Sequence, residues 1–441
     1  MHSLMETTLE SNTYLKMNFD GGDLSSDSGL LLLKEFISKM GVDRLLKQLF
    51  RTNDKASFRL HKDDENLLQM IYQITSAYFE DDCADELTRD PVFTAILGKG
   101  ALASQPTLSR FHNRMGEDTL AQFDEIGKAL RKRAYSCEKP EMVLMDIDST
   151  LLETYGKQEG EGFNYHYRAH GYHPLVCYDS LTGDLLRIQL RKGADYCSNG
   201  AAAFMQPILD EFQEDYPETH LYLRGDSGFA SPDLYKQCET NGVSYAIRLK
   251  ENGTLRKLAE SIDAELAEKT KTNMVDYAVA HGEFYYQAGS WEYPRRVVCK
   301  IEKPPGQLVH MNTFIVTNMG SSPERLVRFY CKRGSMENLI KEGKNGFDFA
   351  AVSSHAEVVN ANRLQIHALA YNIFNWFKRL VLPEEMRRHT VDTLRVKILK
   401  VASRVIRSAR YVTFKLCSSF PYKKVFYRIL ENIRGLRPQL E

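Results

Sequence analysis

The hydrophobic pattern of the chain changes at residue 142, and the segment that begins there constrains the fold more than any other. The apolar run Met142–Asp148 is typical of a buried strand, and two shorter runs joined by the turn Asp179–Gly183 predict a β-hairpin after it. Helical and extended patterns then alternate up to residue 249. Antiparallel strands followed by alternating helices and strands predict a mixed α/β sheet. The predicted elements are strands 142–148, 173–178, 184–190, 220–224 and 243–249 and helices 201–214 and 232–241.

The segments on either side of this sheet have different patterns. The pattern of residues 64–115 predicts three short helices, and the last of them begins near Ser104 and carries Arg110. Both a helix-turn-helix DNA reader and a plain helical bundle fit this pattern. Pro91 either breaks the second helix or occupies its first turn. The chain is β-rich from 273 to 318, with strands predicted at 274–280, 283–288, 295–301 and 312–317, and helices are expected from Glu324 to the C-terminus.

The formal net charge is zero, with 58 basic and 58 acidic side chains among 441 residues. However, the segment from Lys378 to Glu441 holds sixteen Lys and Arg against five Asp and Glu, an excess of eleven positive charges. Such a segment suits phosphate binding, and a solvated helical face is the alternative. No apolar run could span a bilayer and no signal-peptide pattern is present, so we expect a cytoplasmic protein without a membrane partner. The eight cysteines form no C-x-x-C pair, which argues against a thiolate zinc site.

Three aspartates stand at predicted strand ends. Asp146 and Asp148 are two residues apart on one strand, so both point to the same face. Two acids on a hydrophobic strand need a partner such as a metal ion, although one of them could instead lie at a solvent-exposed strand end. Asp226 directly follows the strand 220–224, between Gly225 and Gly228. Ligand sites collect at the carboxyl ends of strands, but an Asp in a glycine-rich turn is also common.

A helix predicted over Glu324–Lys341 carries a further carboxylate. Tyr330, Arg333 and Glu337 lie along the edge of its apolar stripe at helical spacing. Gly334 lowers helix propensity by about 1 kcal/mol relative to Ala, which suggests that another chain or a nucleic acid approaches closely. The alternative is an ordinary salt bridge between Arg333 and Glu337, worth about 0.2–0.5 kcal/mol.

Carboxylates from separate elements are what two-metal phosphoryl transfer requires. One ion activates the attacking water or 3′-hydroxyl, and the other stabilises the leaving oxygen. Magnesium suits a site made only of oxygen ligands. The sequence therefore predicts a Mg²⁺ site built from Asp148, Asp226 and Glu337, with Asp146 as the alternative to Asp148.

Four residues now resemble a family motif. Tyr330, Arg333, Glu337 and Lys344 match in type and spacing the Y-R-E-K signature of the cut-and-paste DDE transposases of bacterial insertion sequences. Asp148-Ser-Thr150 is similar to the D-[ST]-T segment around the family's first aspartate, and the segment 224–229 is similar to the second. The resemblance implies a ribonuclease-H-like mixed α/β sheet with a β-strand insertion, flanked by helical N- and C-terminal regions.

The resemblance also implies roles for these residues. Asp148, Asp226 and Glu337 would bind two Mg²⁺ ions, for which Mn²⁺ could substitute. Tyr330, Arg333 and Lys344 would contact the element end near the scissile phosphate, and two subunits would each bind one terminal inverted repeat before insertion into target DNA. Further DNA contacts are expected from Arg110 and from the tail arginines, by which we mean Arg404, Arg407 and Arg410.

The expected organisation has five segments, and several alternatives remain. The segments are an N-terminal helical DNA-binding region (1–140), the first part of the catalytic domain (141–250), a β-rich insertion (251–320), the second catalytic part with the Glu337 helix (321–380) and a basic C-terminal helical region (381–441). A ribonuclease-H-like nuclease and a catalytically inactive DNA-binding protein are the main rivals. A nucleophilic Ser227 and a metal cluster in the tract 165–173 are weaker alternatives.

Overall fold

The structure is a computed structural model that describes residues 6–56, 58–271, 275–307 and 309–440. The chain folds into two compact units. The first unit is made of the described residues up to Glu138, of Glu342–Ala351 and of the chain from Asn362 onward. The second unit is made of Lys139–Lys341 and Val352–Ala361.

The amino-terminal part of the first unit is mainly helical. Its first two strands pair as an antiparallel hairpin, and seven helices follow the third strand. The elements are β1 (Thr7–Leu9), β2 (Asn12–Met17), β3 (Leu24–Ser25), α1 (Leu30–Lys39), α2 (Val42–Leu49), α3 (Asp63–Thr75), α4 (Cys83–Glu86), α5 (Pro91–Leu97), α6 (Gln105–His112) and α7 (Glu117–Cys137).

Local signals explain where helix α5 begins and ends. The Asp90 side chain accepts hydrogen bonds from the backbone N–H groups of Val92 and Phe93, and Pro91 occupies the first turn, where its missing N–H does no harm. Gly98 ends the helix with a φ of 65°, a left-handed conformation that glycine adopts without strain. Pro91 therefore begins a helix rather than breaking one.

A mixed sheet forms the core of the second unit, beside a small three-stranded sheet. The strands of this unit are β4 (Met142–Ser149), β5 (Leu152–Glu153), β6 (Gly162–Asn164), β7 (Ala169–Tyr172), β8 (Leu175–Asp179), β9 (Leu185–Gln189), β10 (His220–Gly225), β11 (Ser244–Leu249), β12 (Ala278–Tyr286), β13 (Arg295–Lys303) and β14 (Met311–Thr317). The main sheet has eight strands in the order β12-β13-β14-β11-β10-β4-β8-β9, and the small sheet has the order β5-β7-β6. Strand β10 runs parallel to β4 and to β11, and the other neighbours in the main sheet are antiparallel.

Helices accompany the parallel strands, as the sequence pattern indicated. They are α8 (Ala201–Asp215), α9 (Pro232–Thr240), α10 (Gly253–Leu258) and α11 (Glu260–Thr270). The predicted helices 201–214 and 232–241 match α8 and α9 to within one residue. Ser231 caps α9 by accepting a hydrogen bond from the backbone N–H of Leu234, with Pro232 in the first turn.

The β-rich stretch extends the main sheet. Strand β14 pairs with β11, and β13 and β12 continue outward from it. The strands predicted at 274–280 and 283–288 are instead one strand, β12, and Met274 lies outside the described residues. Gly282 does not mark a turn between two strands. It makes room for α11, because a Cβ there would lie 2.1 Å from Cδ1 of Ile262.

The continuous helix predicted over Glu324–Lys341 is wrong. Helix α12 (Pro323–Cys331) is separated from α13 (Met336–Lys341) by a 3-10 turn, Lys332–Ser335, which contains Gly334. A π-helical turn, Glu342–Gly346, follows α13. The helical axis is therefore interrupted within the Y-R-E-K segment.

The C-terminal part of the first unit is not helical throughout, contrary to the prediction. Its helices are α14 (Glu357–Val381), which begins in the second unit, α15 (Glu384–Arg387), α16 (Val391–Leu394) and α17 (Lys423–Gly435). Strands β15 (Ser403–Arg407) and β16 (Val412–Leu416) form a hairpin, and β15 also pairs with β3. Buried Ser403 and Val405 alternate with exposed Arg404 and Ile406, which is the period of a strand. No helix among the described residues is long and apolar enough to cross a membrane.

Candidate active site

The pairing of β4 with β10 places two of the predicted carboxylates side by side. Arg224 on β10 lies opposite Asp146 on β4 in parallel register. Continued two residues beyond this last pair, the same register brings Asp226 next to Asp148 at the carboxyl ends of the two strands. Neighbouring strands are about 4.8 Å apart, and the two carboxylates are close enough for the charge of Asp226 to add to the effect of burial in raising the pKa of Asp148.

Asp148 is a mostly buried acid with one cationic partner. Its side chain is 19% exposed, and Arg333 Nη2 lies 2.9 Å from its Oδ2. The same Nη2 donates to the carbonyl oxygen of Ile147 at 3.0 Å. Burial raises the pKa of Asp148 and the charge of Asp226 adds to this, while Arg333 and the N–H of Ser149 act in the opposite direction. The net upward shift means that the cost of burying the charged carboxylate outweighs its stabilisation by Arg333 and by the N–H of Ser149.

Asp226 is held by the turn that follows β10. Its Oδ1 accepts a hydrogen bond from the backbone N–H of Gly228 at 2.8 Å and so caps the 3-10 turn Ser227–Phe229. A Cβ at Gly228 would lie 2.9 Å from Cβ of Cys197 and 3.0 Å from Oδ1 of Asp226. Only glycine fits there without moving the carboxylate or its neighbour.

Asp146 is fully paired inside the sheet. It is 0% exposed, and Arg224, which is 1% exposed, donates to both of its carboxylate oxygens at 2.7 Å. Ser180 also donates to it. Arg224 Nη1 donates to the carbonyl oxygen of Phe329 at 2.7 Å, and the guanidinium lies over the Phe329 ring. This buried ion pair connects β4, β10 and α12, so the role of Asp146 in this arrangement is structural.

The Y-R-E-K segment reaches the two aspartates through its first two members. Arg333 pairs with Asp148, and Tyr330 lies within electrostatic reach of Arg333 and Asp226. Burial raises the pKa of Tyr330, and the nearby cations Arg333 and Arg248 oppose this shift. Arg333 keeps its charge, because Asp148 and the other nearby groups outweigh the effect of its burial on its pKa.

Glu337 stands apart from this group. It is exposed in the first turn of α13. Among the residues that the structure describes, no group of three or more His, Cys, Asp or Glu side chains lies close enough to hold a metal ion. The charge of Asp226 acts on Asp148, so these two acids are neighbours, and Glu337 does not join them in this arrangement. Lys344 lies in the π-helical turn after α13.

The remaining predicted DNA-binding residues lie in the first unit. Arg110 is exposed near the end of α6. Arg404 and Arg407 lie on β15, and Arg410 lies in the turn between β15 and β16. Like Arg110, all three tail arginines are exposed.

Two residues that the sequence reasoning did not assign also lie at the aspartates. Cys197 Sγ is 3.3 Å from Oγ of Ser149, and Tyr167 Oη donates to the carbonyl oxygen of Ser149 at 3.2 Å. Tyr167 belongs to the tract 165–173, which had been considered for metal binding. In the structure His170 and His173 bond instead to Glu161 and to the carbonyl oxygen of Asp195. Nothing in the sequence pattern points to Cys197, because it reaches the site from a loop.

A mixed sheet with paired carboxylates at the ends of adjacent parallel strands is the architecture predicted for a metal-dependent enzyme acting on phosphodiesters. The chain belongs to the family described as transposase DDE domain group 1, whose model matches residues 7–438. The protein is thus a DNA transposase, and the predicted family, enzyme class and mixed α/β fold are confirmed.

The chain was also compared with solved structures and with curated proteins. The chain is similar to a piggyBac transposase, seen by cryo-electron microscopy in a synaptic complex with hairpin DNA. The TM-score is 0.46 and the identity is 13%, over 94% of this chain and 86% of that one. No curated protein matches the chain.

Proposed function

We propose that the protein excises and integrates an insertion sequence by metal-dependent cleavage and joining of DNA strands, with Asp148, Asp226 and Glu337 as the metal-binding carboxylates. The observation that carries this proposal is the adjacent placement of Asp148 and Asp226 at the ends of two parallel strands. The complete pairing of Asp146 with Arg224 favours Asp148 as the first ligand, because Asp146 has no exposed surface to offer a metal ion.

DDE transposases in general use divalent metal ions, and the residues present fit such an ion. Burial raises the pKa of Asp148 and the charge of Asp226 adds to this shift, so a bound cation would stabilise the ionised carboxylate against both effects. Carboxylate oxygens suit Mg²⁺, and Mn²⁺ would be accepted by the same ligands. Bound ions would activate the attacking hydroxyl and stabilise the leaving oxygen.

Glu337 would complete the site by moving toward the aspartates. Arg333 already anchors the preceding 3-10 turn to Asp148, and Glu337 follows four residues later. Gly334 lies in the turn between them and has open space around it, so the turn can change its conformation. An exposed carboxylate loses few existing contacts when it moves.

Arg333 is suited to hold the reacting DNA strand. Its Nη2 pairs with Asp148 and its side chain is still 16% exposed, so part of the guanidinium beside Asp148 is accessible to a DNA phosphate. Guanidinium groups bind two phosphate oxygens at once. Tyr330 would add a neutral O–H donor, since its pKa is raised. The Y-R-E-K resemblance implies Lys344 as a further DNA-binding residue.

Duplex DNA would be bound by Arg110 and by the tail arginines. Arg404 lies directly opposite Lys415 across the β15–β16 hairpin, and neither forms an ion pair among the described residues. Like charges directly opposite each other destabilise a strand pair, and a DNA phosphate between them would remove this cost. We expect a homodimer in which each subunit binds one element end, acting at the nucleoid in the cytoplasm.

The test uses labelled DNA that carries the inverted repeats flanking the gene. Wild-type protein should cleave it in Mg²⁺, whereas Glu337→Gln and Asp226→Asn should bind it without cleaving. Glu324→Gln is the matched control, because Glu324 is an exposed acid on α12 whose carboxylate pairs with Arg328. Equal cleavage by wild type and Glu337→Gln would remove Glu337 from the site. Binding without cleavage by the wild type would identify the alternative, an inactive DNA-binding protein.

A further inference from the structure

A group of exposed aromatic side chains borders the aspartates and has no part in the proposed chemistry. This aromatic cluster consists of Phe163, Tyr165 and Tyr167, on β6 and the β6–β7 loop, and Tyr196, on the loop before α8. Tyr165 is 87% exposed and Tyr196 is 62% exposed. The rings of Phe163 and Tyr165 contact each other edge to face, with centroids 5.2 Å apart. Clustered exposed apolar groups mark interaction surfaces on soluble proteins.

Two contacts place the cluster at the end of β4. Tyr167 Oη donates to the carbonyl oxygen of Ser149, the residue after Asp148. Burial, followed by the charges of Asp148, Cys197 and Asp226, raises the pKa of Tyr167 to about 12, so its hydroxyl stays neutral. Tyr196 is next in sequence to Cys197, whose Sγ lies 3.3 Å from Oγ of Ser149. A ligand on the ring of Tyr167 would therefore lie beside the end of β4 that carries Asp148.

The loop that carries the cluster is held in one shape by Asn164. This buried side chain donates to the carbonyl oxygen of Gly193 at 3.0 Å and accepts from the backbone N–H groups of His166 and Tyr167. Arg168 has a φ of 56°, a left-handed conformation that costs free energy for any residue with a Cβ. Its N–H donates to the carbonyl oxygen of Asn164 at 2.7 Å. A loop fixed in this way loses little conformational entropy when it binds a ligand.

The chemistry of the loop fits unpaired DNA. Aromatic rings stack on the faces of bases whatever the base, and an arginine beside them attracts the phosphates and adds cation–π attraction. Arg168 is exposed and forms no ion pair within the described ranges. In a duplex each base face is covered by the next base pair, so these rings can stack only on a base that has left the helix.

We propose that the aromatic cluster binds unpaired bases of the strand that lies beside the aspartates. The position of this strand at a scissile phosphate rests on the proposed function, whereas binding of unpaired DNA does not depend on cleavage. The ligand class is single-stranded or locally unpaired DNA, without strong sequence preference.

The experiment measures binding by the full-length protein without metal. Fluorescence anisotropy compares a labelled oligothymidylate with a labelled duplex at the same salt concentration. Tyr165→Ala and Tyr196→Ala should each weaken oligothymidylate binding by between about five-fold and one hundred-fold, the value of one base–aromatic stack. Tyr165→Phe should bind like the wild type, because the ring and not the hydroxyl stacks. Tyr285→Ala is the matched control, since Tyr285 is 71% exposed on β12 at one edge of the main sheet, whereas β6 belongs to the small sheet.

The outcomes separate this inference from the proposed function. Unchanged oligothymidylate binding by both alanine variants would overturn the inference, even if the wild type cleaves element ends in Mg²⁺. An equal loss on the duplex would also overturn it, because the rings would then not distinguish unpaired bases. A selective loss on the oligothymidylate supports the inference even if no cleavage of element ends is found, and in that case the proposed function alone would fail.

Discussion

Replacing Asp146 with Asn should destabilise the second unit, whereas the same change at Asp148 should stop cleavage and leave the fold intact. Asp146 is 0% exposed and receives two hydrogen bonds of 2.7 Å from Arg224, which is 1% exposed. Its neutralisation leaves a buried guanidinium without a counter-charge. Loss of one member of a buried ion pair costs about 3–5 kcal/mol. For a unit of this size, that corresponds to a fall in melting temperature of about 6–20 °C.

Asp148 should behave differently because its charge is already unfavourable in the folded protein. Burial and the neighbouring Asp226 raise its pKa in spite of Arg333. An uncharged Asn removes that penalty, and Arg333 keeps its hydrogen bond to the carbonyl oxygen of Ile147. The melting temperature should therefore change little or rise, while cleavage of labelled element ends in Mg²⁺ disappears because a proposed metal ligand is lost.

Both variants would be compared by far-ultraviolet circular dichroism during heating and by cleavage well below the melting point. Ser180→Ala serves as a control, since it removes a hydrogen bond from an uncharged donor to Asp146 without changing a charge, at a cost of about 1.5–3 kcal/mol. The reasoning would be refuted by an Asp146→Asn protein that melts like the wild type but does not cleave, together with an active Asp148→Asn protein. Asp146 would then be the metal ligand.

Three further outcomes follow from the geometry. Burial raises the pKa of Asp179 to about 6, above its value of about 3.9 in an unfolded chain, so folding favours the protonated form. The free energy of unfolding in urea should then fall by about 3 kcal/mol as the pH rises from about 4 to about 6, and Asp179→Asn should remove this dependence. Replacing the three tail arginines with Ala should lower the salt dependence of end binding, measured as the slope of log K against log salt concentration, by about three, and an unchanged slope would make the hairpin a solvated surface. Gly228→Ala should lower the cleavage rate strongly and the melting temperature only slightly, because the new Cβ would lie about 3 Å from Cys197 and from the Asp226 carboxylate. A normal cleavage rate would show that this turn can relax.

Local patterns were sufficient to predict most of the second unit. The alternation of apolar runs and amphipathic helices from 142 to 249 depends on neighbouring residues only, and the seven predicted elements match the structure to within about two residues. The short strands of the small sheet, β5, β6 and β7, were not predicted. The Y-R-E-K spacing, read from four positions, was sufficient to identify the family that the comparison confirmed.

Other elements depended on contacts that a local pattern does not contain. The segment 403–416 was predicted as helix, but β3 supplies a strand partner for β15 from the other end of the chain. The interruption between α12 and α13 puts Arg333 in a 3-10 turn, where its guanidinium reaches Asp148. In both cases a distant partner outweighs the local helix propensity.

The two aspartates of β4 show which features the sequence determines by itself and which depend on the tertiary structure. A spacing of two residues on a strand was enough to determine that Asp146 and Asp148 share a face. Which of them is paired inside the sheet depended on the neighbouring strand, where the register sets Arg224 opposite Asp146. One carboxylate is thereby neutralised inside the sheet and the other meets a second acid, because strand pairing joins residues that are nearly eighty positions apart.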